Sequence, residues 1–350
     1  MTAKPKSNPG NFFEDFHPGR RLVHATPQTL TAGDLALYRA LTGNRYAQYS
    51  SAEFAKGAGL PGLCADPLHA FHIVFGKTVP DVSLNAVANL GYADGRILRP
   101  VMPGDTLSAE SEVIGVKENS NGKTGVVWVR TKGVNQHGED VLSYVRWVMV
   151  NKRDPASPPP AEAVPDLPAA VPASALTGFP HMQDWPFAAS GSTHVYEDYE
   201  IGEKINHADG MTVQEAEHQI ATRLYQNTAK VHFDFHGQKA SRFGKRLVYG
   251  GVVISVAHAL AFNGLENAGQ VLAINAGTHV SPLFAWDTIY AWSEVLDKAE
   301  LSETCGALRL RLVAVKDSDP GAFAYKDASG KYAEGVLLDF DYWAAIPRAR

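Results

Sequence analysis

The sequence predicts an α+β protein in which one antiparallel sheet, wrapped around a buried helix, occurs twice. Three observations support this prediction: two long segments of the chain match each other, a helical stretch is apolar on every face, and runs of β-forming residues follow it. A helix that is apolar on every face has to be covered by other elements, and a following sheet can cover it.

The internal match is the strongest of these observations. Residues 13–16, Phe-Glu-Asp-Phe, stand three residues before Gly19, and residues 196–199, Tyr-Glu-Asp-Tyr, stand three before Gly202. The same spacing of 183 relates further pairs, and after one deletion a spacing of 182 relates others: Thr29 and Thr212, Asn44 and Asn227, Lys56 and Lys239, Gly95 and Gly277, Pro100 and Pro282. A register kept over so many residues indicates a duplicated domain, which we place at residues 10–153 and 191–350.

The segment between the copies, residues 154–190, has a different composition. It contains nine prolines between residues 154 and 187 together with many alanines. Such a segment forms no core of its own, so we predict an extended strap or linker. Its length allows the second copy to dock beside the first.

The predicted elements have the same order in both copies. In the second copy, apolar residues recur at helical spacing over 213–224, with Thr212 and Glu215 as a predicted capping box. An apolar helix over 251–262 and β-rich runs over 287–295, 307–315 and 336–343 follow. The matching runs of the first copy are 106–116, 125–132 and 141–150, with a tight turn at Asn121-Gly122. Two such sheets can pair edge to edge and cover each other's open edges.

Composition and charge exclude several classes of function. Of the 350 residues, 45% are hydrophobic and 20% charged, and the formal net charge is −5, an ordinary balance for a globular protein. No long basic run indicates nucleic acid or an anionic membrane surface, and no apolar run is long enough to span a bilayer. The two cysteines, Cys64 and Cys305, are far apart and form no metal or redox motif. We therefore expect a soluble cytoplasmic protein.

Residues 225–255 contain the best candidates for chemistry. A predicted helix ends near Asn227, an irregular segment carries His232, and Gly250-Gly251 begins the apolar helix. This order brings an imidazole towards free backbone N–H groups at a helix N-terminus. A base that faces donors able to hold an oxyanion is suited to chemistry through an enolate.

These residues resemble a known family. Residues 226–234 align without a gap with the Gly-Asp-x-Asn-Pro-x-His-x-Asp motif of the (R)-specific enoyl-CoA hydratases, or MaoC-like dehydratases, and 248–250 align with their His-Gly element. Over most of residues 10–347 the chain is similar to the double hot-dog mesaconyl-CoA hydratases, also called methylmalyl-CoA dehydratases. The phrases that carry this similarity are residues 118–125, 144–150, 243–246 and 290–298. The resemblance implies a tandem double hot-dog fold and a lyase that reversibly hydrates an α,β-unsaturated acyl-CoA, in particular methylmalyl-CoA to mesaconyl-CoA. It implies no cofactor, since coenzyme A is part of the substrate, and it leaves a homo-oligomer open.

The chain departs from the family motif at several positions. The Asp of the motif is Asn227 here, and an amide does not accept a proton at neutral pH. The Asn and Pro of the motif are Ala229 and Lys230, and the first copy has Tyr49 at the position of His232. We therefore expect one active site per chain, in the second copy.

The resemblance implies a role for each remaining residue. His232 transfers protons, Asn227 positions water or the substrate hydroxyl, and Asp234 tunes His232 or shares the proton transfer. The Gly250 N–H stabilises the enolate. Lys230, Arg223 and Arg45 are candidates for the substrate carboxylate from their position alone. Tyr249 is a further candidate for substrate binding, and Arg242, Lys245 and Arg246 are candidates for the CoA phosphates, although such a basic run is also typical of a solvated surface.

Three alternatives remain open. The same fold could carry an acyl-CoA thioesterase, in which water attacks the thioester carbon. The missing Asp could instead indicate an acyl-CoA-binding protein without catalytic activity. His232, Asp234 and His236 have a His-x-Asp-x-His spacing that would place three metal ligands on one face of a strand, but no further ligands accompany them, so we expect no metal.

Overall fold

The computed structural model describes residues 6–349, so residues 1–5 and residue 350, the last of the predicted second copy, lie outside it. The described chain forms one ten-stranded antiparallel sheet in the order β1-β3-β4-β5-β2-β7-β10-β9-β8-β6. The strands are β1 Arg21–Thr29, β2 Ala86–Ile97, β3 Thr106–Glu118, β4 Thr124–Val134, β5 Asp140–Asn151, β6 Lys204–Thr212, β7 Gln270–His279, β8 Thr288–Glu300, β9 Cys305–Lys316 and β10 Val336–Pro347.

The described chain also contains helices between and beside these strands. They are α1 Ala32–Thr42, α2 Ala47–Ser50, α3 Ala52–Gly57, α4 Pro67–Thr78, α5 Phe187–Ser190, α6 Glu215–Leu224, α7 Lys230–Phe233, α8 Phe235–Gln238, α9 Gly250–Leu260 and α10 Phe262–Leu265. Short 3-10 or π turns lie at Phe13–Asp15, Val79–Ser83, Ala173–Ala175, Tyr196–Asp198 and Pro320–Ala322. The predicted strand runs are all present, which confirms the α+β class.

Each half wraps five strands around one long helix. Strands β1–β5 surround α4, in which every residue is buried, and β6–β10 surround α9, in which every residue after Gly250 is buried. Burial on all sides explains why α9 is apolar on nearly every face, whereas α4 also buries the polar residues His69, His72 and Lys77. The halves join where β2 pairs with β7, with Tyr92 opposite Gly277 and Arg96 opposite Ala273.

The two central helices also contact each other. His72 Nε2 of α4 lies 2.9 Å from Ser255 Oγ of α9, and these residues are 183 positions apart, so equivalent positions meet near a pseudo-two-fold axis. Gly76 of α4 lies against the end of α6, where an added Cβ would stand 1.8 Å from the Tyr225 carbonyl oxygen. This close approach places the loop that carries Asn227 against the first half.

One local prediction was wrong. The capping box of α6 is formed by Gln214 and Glu217, because Thr212 still belongs to β6 and cannot also begin the helix. The predicted tight turn at Asn121-Gly122 does lie between β3 and β4, where Gly122 has a positive φ of 64° and its N–H donates to the Asn119 carbonyl oxygen at 3.0 Å.

The proline-rich strap packs against both halves. Its Val171, Leu176 and Trp185 are buried in a cluster with Phe54 of the first half and Trp343 of the second. Trp343 Nε1 donates to the Val171 carbonyl oxygen at 3.0 Å. The strap has no hydrophobic core of its own, and its apolar residues are buried against the two halves. Between residues 6 and 349, no helix is both long and apolar enough to cross a membrane.

Candidate active site

A groove with about 1460 Å³ of empty space, part of it open to solvent, runs between the two halves. Its walls come from both copies of the fold. The first half contributes Phe75, Ser83, Asn89, Tyr92 and Arg146, and the second contributes Asn227, His232, Phe243, Tyr249, Gly250 and His279. The predicted imidazole, amide and helix start therefore do line one cavity.

His232 is held in one tautomer by the backbone. It lies in α7, and its Nδ1 is 3.0 Å from the Leu247 carbonyl oxygen, which can only accept a hydrogen bond. Nδ1 therefore carries the proton, and Nε2, which bonds no residue of the described chain, keeps a free lone pair. Burial lowers the pKa of His232 to about 4, so the ring is neutral at neutral pH. A neutral imidazole with a free lone pair can act as a base.

The start of α9 provides backbone donors beside this base. Gly250 and Gly251 occupy the first turn, whose N–H groups have no intrahelical acceptor. The positive end of the helix dipole favours negative charge at the same place. Gly250 has to be a glycine because an added Cβ would stand 2.4 Å from Cε1 of His279.

His279 is a functional candidate that sequence reasoning missed. It is the last residue of β7, and its Nε2 lies 3.2 Å from the hydroxyl oxygen of Tyr92 in the first half. Burial, and to a smaller extent the neighbouring His232, lowers the pKa of His279 to about 4. The sequence does distinguish this residue, because its equivalent in the first copy, 182 positions earlier, is the apolar Ile97. The histidine is therefore specific to the second copy.

Asn227 is buried at the side of the groove. Its Oδ1 accepts a hydrogen bond from the Ala229 N–H at 2.9 Å, and its Nδ2 bonds no residue that the structure describes. The free amide N–H groups can donate to a water molecule or a substrate oxygen, and they cannot take up a proton.

The sequence of this chain is similar to those of known proteins. A family model described as mesaconyl-CoA hydratase matches residues 3–166. The mesaconyl-CoA hydratase of Cereibacter sphaeroides is 59% identical over 348 residues, which are 98% of this chain and 100% of that protein.

The chain belongs to the mesaconyl-CoA hydratase family.

Solved structures support the same relationship. A structure from Chloroflexus aurantiacus, described as a MaoC domain dehydratase, has a TM-score of 0.97 and 56% identity and covers 99% of this chain and 100% of its own. A protein from Mycobacterium tuberculosis, described as having a double hot-dog fold, has a TM-score of 0.76 and 26% identity and covers 97% of this chain and 98% of its own. The predicted family and the double hot-dog fold are therefore confirmed.

In this member of the mesaconyl-CoA hydratase family, Tyr249 forms the groove wall next to the base. Its ring centroid lies 5.5 Å from that of His232, and its hydroxyl group is buried without a hydrogen-bond partner in the described chain. Burial raises the pKa of Tyr249 well above its ordinary value, so it stays a neutral donor.

Several predicted residues lie outside the groove. Asp234 is exposed and caps α8, where its Oδ1 accepts from the Gly237 N–H at 2.9 Å. Lys230 and Arg223 are exposed and do not line the cavity, and Arg45 forms a surface ion pair with Asp209 at 3.1 Å. These four predicted residues therefore do not line the groove that contains His232 and Gly250.

The basic residues predicted for CoA lie near the groove mouth. Phe243 lines the groove, the guanidinium of Arg242 lies 5.1 Å from its ring centroid, and Lys245 Nζ lies 3.9 Å from the ring of Phe284. Phe243 and Phe284 pack edge to face at 5.5 Å. Arg246 instead forms an ion pair with Glu215 and donates to the Phe233 carbonyl oxygen, so its charge is already compensated.

The metal alternative finds no support in the geometry. His232 lies in α7, whereas His236 lies in α8, so the three residues of the His-x-Asp-x-His spacing do not share one face of a strand. Within residues 6–349, no group of three or more His, Cys, Asp or Glu side chains is arranged to hold a metal ion.

Proposed function

We propose that this hydro-lyase catalyses the reversible hydration of mesaconyl-CoA to methylmalyl-CoA in the groove between its halves. The observation that carries the proposal is the neutral imidazole of His232, with Nε2 free, in the same groove as the N–H groups that begin α9. The name and the high identity of the relative from Cereibacter sphaeroides support the choice of substrate.

His232 acts as the general base for water. Water adds through its oxygen to the β carbon of the enoyl thioester while Nε2 takes one of its protons. The hydrogen bond from Nδ1 to the Leu247 carbonyl oxygen orients the ring and stabilises the imidazolium as it forms. In the dehydration direction the same imidazolium returns the proton to the departing hydroxyl group.

The Gly250 N–H acts on the thioester oxygen. Negative charge moves onto this oxygen when water adds to the β carbon, and a fixed N–H group at a helix start stabilises that charge. A donor of this kind contributes about 3 kcal/mol of transition-state stabilisation. The enolate then collapses as the α carbon takes the proton that His232 Nε2 received from water, so that OH and H have been added across the double bond and the imidazole is neutral again.

Asn227 and His279 position the reactants for this proton transfer. The Asn227 amide orients the attacking water by donating N–H groups, but it cannot replace the carboxylate of the family motif as a proton carrier. His279, hydrogen bonded to Tyr92, is a second imidazole in the groove and packs against Gly250, where it helps to hold the thioester end of the substrate in place. Asp234 has no part in this mechanism because it faces solvent.

The proposal includes the carrier part of the substrate. Arg242 and Lys245 bind CoA phosphates at the mouth, where neither has an acidic partner among the described residues, and the pantetheine arm extends from there to the start of α9. The protein needs no cofactor besides the coenzyme A of its substrate. A cytoplasmic location is part of the proposal, because Cys64 and Cys305 are free thiols.

The test is an assay of the purified chain with mesaconyl-CoA. We expect a product heavier by one water, loss of the enoyl-thioester absorbance, and no release of free thiol to a thiol reagent. Release of free CoA would identify a thioesterase instead. Binding of mesaconyl-CoA without any conversion would identify the acyl-CoA-binding alternative, and both results would contradict the proposal.

A further inference from the structure

Arg146 of β5 is a buried cation in the wall of the groove. None of its side chain is exposed, although it lies among the residues that line the cavity. Its Nη2 donates to Thr78 Oγ1 at 2.7 Å and to Ser83 Oγ at 3.2 Å. The guanidinium also lies 4.2 Å from the ring centroid of Phe75. The side chain is thus fixed in position by neutral groups.

Arg146 lacks a counter-ion in the described part of the chain. Its Nε and Nη1 are buried and have no hydrogen-bond partner there. The titratable groups that interact with it are Tyr144, Tyr92 and Tyr249, none of which is charged at neutral pH. Burial lowers its pKa, yet a guanidinium remains protonated under physiological conditions. An uncompensated buried charge is unfavourable, and a bound anion would remove this penalty.

The position of Arg146 indicates which anion binds. Arg146 pairs with Tyr92 across β5 and β2, and the Tyr92 hydroxyl contacts His279. The guanidinium therefore belongs to the reacting end of the groove, whereas Arg242 and Lys245 lie at its mouth. In mesaconyl-CoA the free carboxylate is attached to the β carbon that receives water, next to the reacting atoms.

We propose that Arg146 binds the free carboxylate of the dicarboxylic acyl-CoA substrate and thereby makes the enzyme specific for it. This inference rests on the proposed function and adds the residue that selects the acyl group. Charge-assisted hydrogen bonds from a guanidinium to a carboxylate are among the strongest in proteins. The fixed geometry of the arginine also places the β carbon relative to His232.

Comparison of the halves supports a dedicated role. The residue 182 positions after Tyr92 is Ile274, and Ile274 pairs with Tyr342 in β10. Tyr342 therefore occupies the sheet position in the second half that Arg146 occupies in the first. A buried guanidinium that served only the packing of this sheet would have no reason to lie on the groove that contains His232.

The test compares two substrates that differ in one group. Tiglyl-CoA has the carbon skeleton and double bond of mesaconyl-CoA, with a methyl group in place of the carboxylate. In Arg146→Gln we expect kcat/KM for mesaconyl-CoA to fall roughly 100-fold or more, because one partner of a buried charge pair is lost. We expect kcat/KM for tiglyl-CoA to stay the same or to rise.

Arg130→Gln is the matched control. Arg130 lies on the neighbouring strand β4, is half exposed and pairs with Asp94 at 2.8 Å outside the groove. This variant should keep the wild-type selectivity between the two substrates. Equal losses for both substrates in Arg146→Gln would contradict the proposal, since they would indicate damage to the reaction and not to carboxylate recognition.

Binding of unreactive analogues provides a second measurement that does not depend on turnover. By calorimetry, the wild-type protein should bind 2-methylsuccinyl-CoA more tightly than 2-methylbutyryl-CoA, and Arg146→Gln should lose this preference. Arg146→Lys, which keeps the charge, should retain part of it, and it serves as the variant if the glutamine form does not fold. A wild-type protein without preference would overturn the inference. If the wild type does not hydrate mesaconyl-CoA yet prefers the dicarboxylic analogue, the proposed function fails while the binding role of Arg146 stands.

Discussion

The two halves of the chain differ most at the start of their central helices. In the second half, α9 begins with Gly250 beside the open groove, and its first N–H groups are available to a ligand. In the first half, α4 begins with Pro67, and Asp66 caps it by accepting from the Leu68 N–H at 2.8 Å. The same helix start faces an open groove in one copy and is closed by a side-chain cap in the other.

The residues and cavities next to these two helix starts also differ between the halves. In the first half, Asn44 Nδ2 donates to Asp66 at 2.6 Å, whereas the amide nitrogen of its counterpart Asn227 bonds none of residues 6–349. Burial raises the pKa of Asp66 to about 7. The cavity beside it has only about 430 Å³ of empty space and is lined by Tyr49, Ile97 and, from the strap, Gly178. The first copy thus has only a small cavity at the equivalent position. It contributes Arg146 and Tyr92 to the wall of the groove at the second copy.

Replacement of the base should have the largest effect. His232→Gln can still donate to the Leu247 carbonyl oxygen, but it has no lone pair basic enough to take a proton from water. We expect kcat to fall roughly 1000-fold, within the usual range for loss of a general base. Tyr49→Phe at the equivalent position of the first half should change kcat less than twofold. Comparable losses in the two variants, measured with mesaconyl-CoA, would show that the halves are not divided in this way.

A side chain at the start of α9 should have the next largest effect. In Gly250→Ala, the new Cβ would overlap the ring of His279 and displace it, together with the thioester oxygen. A displacement of this size lowers the rate by about 100-fold. The matched change in the first half, Pro67→Ala, should leave the rate unchanged. An unimpaired Gly250→Ala enzyme with an unchanged fold would argue against the proposed oxyanion site.

Loss of the contact between the halves at His279 should have a moderate effect. Tyr92→Phe removes the hydroxyl group that contacts His279 Nε2, and one hydrogen bond of this kind is worth about 1 kcal/mol, or roughly fivefold in kcat/KM. Tyr342→Phe is the control, because its buried hydroxyl has no hydrogen-bond partner in the described chain and it does not line the groove. The comparison fails if the control loses as much activity as the test variant.

The smallest effect is expected from moderate acid. Because burial lowers the pKa of His232 to about 4, the base stays unprotonated well below the ordinary histidine range. We expect kcat/KM to stay level from pH 8 to about 5.5 and to fall only below about pH 5. An acid limb near pH 6.5 would contradict the buried, neutral state of the ring.

Acid also affects stability, and the assay has to separate the two effects. His279 shares a lowered pKa of about 4, so between roughly pH 6.5 and 4 the unfolded chain binds more protons than the folded one. The free energy of unfolding therefore decreases as the pH falls through this window. Short exposure to acid followed by an assay at neutral pH shows whether a lost rate comes from unfolding.

Most of the fold could be predicted from the sequence, because the duplication and the hydrophobic periodicity can both be recognised in the order of residues along the chain. The repeat spacing predicted two copies, the apolar helix and the alternating runs predicted what each copy contains, and the family motif placed His232, Asn227 and Gly250. The fold, the family and the hydro-lyase class were confirmed. The domain boundaries near residues 153 and 190 and the site roles stay predictions.

The remaining part of the site could not be predicted because it is assembled between the halves. Tyr92 and Arg146 belong to the copy that lost its imidazole, and only the pairing of β2 with β7 brings their wall to His232. The candidate cations chosen from sequence, such as Lys230, were selected by nearness along the chain to the motif. A short helix turns that residue to solvent, whereas an arginine distant in sequence lies in the groove.

The most direct measurement of the central claim is the number of acyl-CoA sites per chain. Calorimetric titration of the wild-type protein with the unreactive 2-methylsuccinyl-CoA should give one site per chain, because the equivalent position in the first half is closed by Asp66, Pro67 and the strap. Gly250→Ala should weaken or abolish that site. Two equivalent sites per chain, or one site that is unaffected by Gly250→Ala, would contradict the account.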